Sequence, residues 1–196
     1  MRICFAIINY KFFHSHRLSL IRELAKTHSV SVVTDTSRAL PQEIKYLISL
    51  GIEVIHLPSR SKKIGYISYA LSLRRVIQNI NPVMMFYVTL EMSTFGATIH
   101  HLLKVKKSFF LITGLGPFFH RKKLKYSGLR LLQRLIFAAA LLKKSCVFIF
   151  QNADDLKLFI DLKIANEANV QMIRGNGINT NAFIYKERAY VNKIIF

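Results

Sequence analysis

Short apolar runs rich in β-branched and aromatic residues recur along the chain at Ile3–Ile8, Val30–Thr34, Glu53–His56, Val83–Tyr87, Ser108–Ile112, Val147–Phe150 and Val170–Ile173. Each has the length and content of a strand. Between them apolar residues recur every three or four positions: Leu20, Ile21, Leu24 and Ala25; Ile44, Leu47 and Ile48; Ala70, Leu73, Ile77 and Ile80; Leu132, Leu135, Ile136 and Ala139; and Leu156, Phe159, Ile160 and Ile164. That spacing lays one apolar stripe along a helix. Punctuation agrees, with Gly51 placed to stop the second helix and Asn81-Pro82 to close the third. Strands alternating with helices predict parallel βαβ units. The expected fold class is α/β: a Rossmann-like, doubly wound, mostly parallel sheet of about seven strands with helices on both faces. There is no internal repeat or low-complexity linker, and 196 residues bury one domain well.

Open parallel sheets bind ligands off the C-terminal ends of their strands, so the residues after each strand carry the functional question. After the first strand, the segment Asn9 to Arg17 contains no glycine. It therefore cannot form the G-x-G-x-x-G phosphate cradle, which disfavours a nicotinamide dinucleotide enzyme. His14, His16 and Arg17 can contact an acceptor or a phosphate from the start of a helix beginning near Ser15. The alternative is that His14 or Ser15 caps this helix and Arg17 is solvated. After the fifth strand, Thr113-Gly114-Leu115-Gly116 permits a tight turn and close approach of a ligand or a facing domain, as any strand-to-helix turn would. After the sixth, Asp154 and Asp155 look at first like catalytic acids. They read better as first-turn carboxylates that complement a helix dipole, with Asn152 as the cap.

Charge narrows the partner. Lys and Arg number 29 against 10 Asp and Glu, a formal net charge of +19, and no acidic residue occurs between Glu91 and Asp154. Such a field favours an anionic lipid surface, a phosphorylated ligand or nucleic acid. The stretch Phe118 to Tyr126 interleaves aromatics with His120, Arg121, Lys122, Lys123 and Lys125. Its composition suits docking on an anionic membrane; a solvated surface is the bland alternative, and nucleic acid is the least favoured of the three. The two cysteines, Cys4 and Cys146, fall inside apolar runs and read as core residues, so neither a disulfide nor a metal site is expected. The N-terminus lacks a signal-peptide cleavage pattern, and the apolar run Leu135–Leu142 is far short of the roughly 20 residues that span a bilayer. The expected location is cytoplasmic, peripheral on the inner face of the cell membrane.

In order along the chain, several blocks resemble the N-terminal half of a family 4 glycosyltransferase of the two-domain GT-B fold, of the bacterial surface-polysaccharide kind. They are Phe13 with His16-Arg17 and Leu20, Leu24 leading to Val30–Thr34; Gly51-Ile52-Glu53-Val54; Thr113-Gly114-Leu115-Gly116 with Phe119; Phe150 to Asp155 with Phe159; and Ile173 to Asn179 with Phe183. The resemblance implies an acceptor-binding domain over residues 1–180, with 181–196 as linker and opening strand of a C-terminal donor domain. It implies that Phe13 to Arg17 and Thr113 to Gly116 wall an interdomain cleft, and that Gly177 and Asn179 belong to the crossover facing the donor side. It further implies a nucleotide-sugar as donor substrate, no cofactor or metal, a lipid-linked or glycan acceptor, and a missing or separately encoded donor domain without which the chain is inactive. Departures are Thr113, where many relatives carry histidine, Asn179, where an acidic residue is common, and Thr89-Leu90-Glu91-Met92, where a Thr-Lys-Pro type sequence is absent. The competing class is a basic, non-enzymatic module binding nucleic acid or a membrane surface.

Overall fold

The computed structural model describes residues 1–59, 65–115, 124–143, 145–175 and 177, with the side chains of 124–127 excepted. Strands β1 (Arg2–Ile7), β2 (Ser29–Thr34), β3 (Ile52–His56), β4 (Met84–Val88), β5 (Lys107–Ile112), β6 (Cys146–Phe150) and β7 (Val170–Met172) form one sheet. Its order is β3-β2-β1-β4-β5-β6-β7 and every pairing is parallel. The order reverses between β1 and β4, which is the switch point where open α/β sheets leave a crevice.

The helices are α1 (Tyr10–His16), α2 (Leu18–Ala25), α3 (Pro41–Ser49), α4 (Tyr66–Ile80), α5 (Leu90–Ile99), α6 (Leu124–Leu141) and α7 (Ala153–Asp161). Strand alternation sorts the core into two layers. One face carries Cys4, Ala6, Met85, Tyr87, Phe110, Ile112, Phe148 and Phe150 under α4, α5, α6 and α7. Here the rings run as a chain, Tyr87 on Phe110 at 5.3 Å, Phe110 on Phe148 at 5.2 Å, and Phe148 against Phe137 of α6 and Phe159 of α7. The other face carries Ile3, Phe5, Ile7, Val30 and Val32 under Tyr10, Phe13, Ile21 and Leu47 of α1 to α3. Both cysteines are buried free thiols. Burial pushes the Cys146 thiol up to about 12 and that of Cys4 further still, so neither supplies a thiolate.

Turn chemistry follows the punctuation. Gly51 takes φ +75° after α3, and Asn81 takes the left-handed conformation after α4 and donates its N–H to the Ile77 carbonyl. Two elements differ from the expectation. The helix after β1 starts at Tyr10, five residues before Ser15, because Asn9 is its cap: Asn9 Oδ1 accepts the Phe12 N–H at 2.9 Å. Helix α5 carries no mark in the pattern, since LEMSTFGATI has no polar face; in the fold it is buried on nearly every side, between the sheet, α4 and α6.

Candidate functional site

The C-terminal ends of β1, β4 and β5 bring together Asn9, Thr89, Thr113 and Gly114 around the switch point. Two of these positions have unusual backbones. Thr89 caps α5 at φ +88°, ψ 158°, a region that side chains avoid and β-branched ones most of all. It is held there by its N–H donated to the Leu111 carbonyl of β5 and by its carbonyl accepting Ser93 N–H, with a weaker bond from Met92 N–H to its hydroxyl at 3.4 Å. Gly114 lies at φ +152° with open space where a Cβ would stand. Glycine is needed here for its conformation, and the space in front of it is free for a ligand.

Arg17 is the second feature. Helices α1 and α2 break at this residue, at φ −126°, ψ −15°. The residue is 6% exposed, and its Nε and Nη2 are buried without an acceptor. Burial alone lowers its pKa from the usual value. The alternative of a solvated Arg17 is thus replaced by a buried guanidinium with unused donors, the kind of group that binds an anion when one is offered. Helix capping by His14 or Ser15 is replaced by Asn9. His14 and His16 are exposed, His14 tilted against Tyr10 and His16 stacked on Phe12 at 4.5 Å with Nδ1 at 2.6 Å from Ser15 Oγ. Phe13 is fully buried in the core and positions α1 under β1; its side chain does not reach the crevice surface.

Beside the switch point, a polar cavity of about 420 Å³ opens over the ends of β1, β2 and β3, lined by Asn9, Tyr10, Lys11, Asp35, Ser37, Arg38 and Ser59. The Asp35 carboxylate accepts the Ser37 N–H at 2.9 Å and the Ser59 N–H at 2.8 Å. Burial pushes its pKa up, but the hydrogen bonds from Ser59 and Ser37 outweigh that and hold it well below the usual carboxylate range. Asp35 is therefore a fixed anion tying the β2 and β3 turns together, and no proton acceptor near neutrality. Lys11 and Arg38 give the cavity its cations.

Asp154 and Asp155 stand in the first turn of α7. Asn152 Oδ1 accepts the Asp155 N–H at 2.8 Å and Asn152 Nδ2 donates to Asp155 Oδ2 at 2.7 Å, so Asp155 is engaged in the helix cap, while Asp154 stands exposed in the same turn. Gly177 takes φ +69° with open space around it. Gly116, Asn179, His120, Arg121, Lys122 and Lys123 lie outside the described residues, as do the Lys125 side chain and the linker and strand expected over 181–196. Among the described residues no cluster of His, Cys, Asp and Glu is set to hold a metal, and no helix is long and apolar enough to cross a membrane. Sequence reasoning marked Thr89 only as a departure from the family pattern and missed its strained backbone, which no residue pattern signals, along with the Lys11, Arg38 cavity. The polar residues after β2 and β3 were the available hint of the latter.

Comparisons with known proteins agree with this geometry. The fold is similar to a glycosyltransferase from Rickettsia africae (TM-score 0.59, 13% identity, 93% of this chain and 45% of that one). It is also similar to a sucrose-phosphate synthase from Thermosynechococcus elongatus (TM-score 0.58, 8% identity, 89% and 48%) and, more loosely, to a UDP-N-acetylglucosamine 2-epimerase from Listeria monocytogenes (TM-score 0.51, 10% identity, 87% and 44%). The chain thus spans less than half the length of each of these proteins. No curated protein sequence matches it. The family model described as "Glycosyl transferase 4-like" matches residues 2–152, from the first residue of β1 to the cap of α7. This chain belongs to the glycosyl transferase 4-like family.

Proposed function

We propose that this chain is the acceptor-binding half of a glycosyltransferase that moves a sugar from a nucleotide-sugar to a lipid-linked glycan acceptor, working peripherally on the inner face of the cell membrane. The observation that carries the reading is the family match over residues 2–152. The geometry supports it: an open crevice at the switch point, bordered by Thr89 and Gly114, with the Lys11, Arg38 cavity beside it, and at the junction of α1 and α2 a buried Arg17 whose Nε and Nη2 have no acceptor. An acceptor carrying a diphosphate between lipid and sugar supplies an anion that Lys11 and Arg38 can meet.

In the transfer, the acceptor hydroxyl oxygen forms a bond to the anomeric carbon of the donor sugar, the bond from that carbon to the nucleotide diphosphate breaks with its electron pair leaving on the diphosphate, and the hydroxyl proton passes to the departing diphosphate. The residues of this chain hold and orient the acceptor for that step, a contribution of positioning. The donor's diphosphate has to be neutralised from the other side of the cleft by a C-terminal donor domain, so this chain alone binds acceptor and turns over little or none.

The test is a pair of measurements on the full chain: affinity for a polyprenyl-diphosphate-sugar against the unglycosylated polyprenyl alcohol, and transfer of radiolabelled sugar from a panel of nucleotide-sugars. Preference for the diphosphate-sugar with no turnover is expected. Robust turnover by the chain alone refutes the half-site reading, and equal affinity for the two lipids refutes the acceptor assignment.

A further inference from the structure

Helix α6 is amphipathic in the wrong direction. Its inner face buries Phe137 and Ala140 against the sheet, as expected. Its outer face, read around the helix at 100° per residue, consists of Gly128, Leu131, Leu132, Leu135, Ala139 and, just past the helix, Leu142. All of them are exposed, Leu131 and Leu132 at 55%, Leu135 at 59% and Leu142 at 82%. A surface helix ordinarily turns charge outward; here no charged residue interrupts the outward stripe between Gly128 and Leu142. Of the described cations on the helix, Arg134 is half-buried beside the stripe and Arg130 half-buried nearer the Phe137 side, and Lys143 follows the helix.

The apolar surface continues beyond the helix. Leu132 is shared with a groove of about 660 Å³ between α4, α5 and α6, whose walls also include Tyr66, Phe95, Leu129 and Ile136. Leucines therefore extend from a concave slot over a convex ridge, with basic side chains along the ridge.

We propose that the outward leucine face of α6 docks on an anionic lipid bilayer, with Leu131, Leu132 and Leu135 at acyl depth and Arg134 and Lys143 reaching the headgroup phosphates. Charge decides for lipid over a second copy of the chain. Two copies pairing through this face would bring like charges together, in a stretch with no acidic residue from Met92 to Ala153. An anionic surface satisfies the leucines and the cations at once. The inference stands without the acceptor reading: a chain that docked and bound no glycan would leave it intact.

The chain contains no tryptophan, so Leu135→Trp introduces a single reporter. On phosphatidylglycerol vesicles its emission is expected to shift to the blue, and much less on phosphatidylcholine vesicles. The control is Ile48→Trp, at an exposed position on α3 of the opposite sheet face, whose emission is expected to stay unshifted. In co-sedimentation, Leu131→Glu/Leu135→Glu is expected to lose phosphatidylglycerol binding by tenfold or more while keeping the wild-type circular dichroism and melting curve. Unshifted emission from the Leu135→Trp variant on phosphatidylglycerol, or binding undiminished in the double variant, overturns the proposal. So does a lipid-free dimer, seen by sedimentation equilibrium, that the double variant dissolves, since the face would then belong to a second copy.

Discussion

A guanidinium with two buried and unused donor nitrogens, as at Arg17, costs the fold several kcal/mol of lost hydration, which the attraction of a partner charge would offset. No such charge neighbours it among the described side chains. Either the arginine is kept for an anion that arrives from outside, or it is a packing residue whose charge is incidental. These differ in outcome for Arg17→Met, which keeps the length of the side chain and removes the charge. With an anion-binding role, thermal stability holds or rises by about 1 kcal/mol, because an uncompensated charge is gone. Acceptor affinity meanwhile falls about tenfold to a hundredfold, the worth of a charge-assisted hydrogen bond of about 1.5–3 kcal/mol. A packing role predicts the reverse, a lower melting temperature with unchanged affinity. Calorimetry and titration with a polyprenyl-diphosphate-sugar, on the same preparation, separate the two. The pair His16-Arg17 was legible as a functional candidate from its place after the first strand. Its burial was not, because it follows from the break between α1 and α2, which nothing in the local residue pattern marks.

At the scale of elements, α5 is where reading and structure part most. Amphipathic periodicity finds helices that have a wet side, so α4 and α7 were visible and α5 was not. What fixes α5 in place is a close approach: a Cβ on Gly96 would come within 2.4 Å of the Tyr87 ring on β4, itself fully buried and stacked on Phe110. Gly96→Ala therefore gains helix propensity of up to about 1 kcal/mol and loses more to the clash, since overpacking a filled core typically costs about 1–3 kcal/mol. The net expectation is a lower melting temperature. Gly128→Ala on α6 is the matched comparison, with nothing within 4 Å of its added Cβ. There the propensity gain is uncompensated, and the melting temperature is expected to rise. Denaturation of the two variants side by side checks the sign of each; a stable Gly96→Ala would mean that α5 sits farther from β4 than the ring contact requires.

For the whole molecule, the parallel architecture was written in the alternation of apolar runs and three-four spacings, because each strand buried on both faces must be apolar throughout. The crevice was only half written, since Asn9, Thr89 and Gly114 come together through strand order, a property of the sheet and of no single segment. The lower end of the sheet holds a feature that neither pattern nor family resemblance pointed to. His100, fully buried, lies with Nδ1 at 3.2 Å from Ser108 Oγ and Nε2 at 3.5 Å from Ser145 Oγ, edge-on to Phe110. Burial, then the nearby charge of Lys143 and of His101, lowers its pKa from 6.5 to about 4. In the unfolded chain it takes up a proton near 6.5; in the fold it resists until about 4. Its contribution is thus complete above 6.5 and is withdrawn as the pH falls toward 4, because over that interval the unfolded state binds the extra proton. Asp35 acts lower down. Its pKa is depressed below the ordinary 3.8, so its share of stability disappears only beneath that value. Urea denaturation across the acid range is expected to register two separate losses, the upper one belonging to His100. His100→Gln retains an amide that can bond the serines and removes the titration, so its stability is expected to stay flat between 6.5 and 4 while the wild type declines. A parallel decline in both proteins would assign the upper loss to other groups and leave His100 as a packed ring without electrostatic consequence.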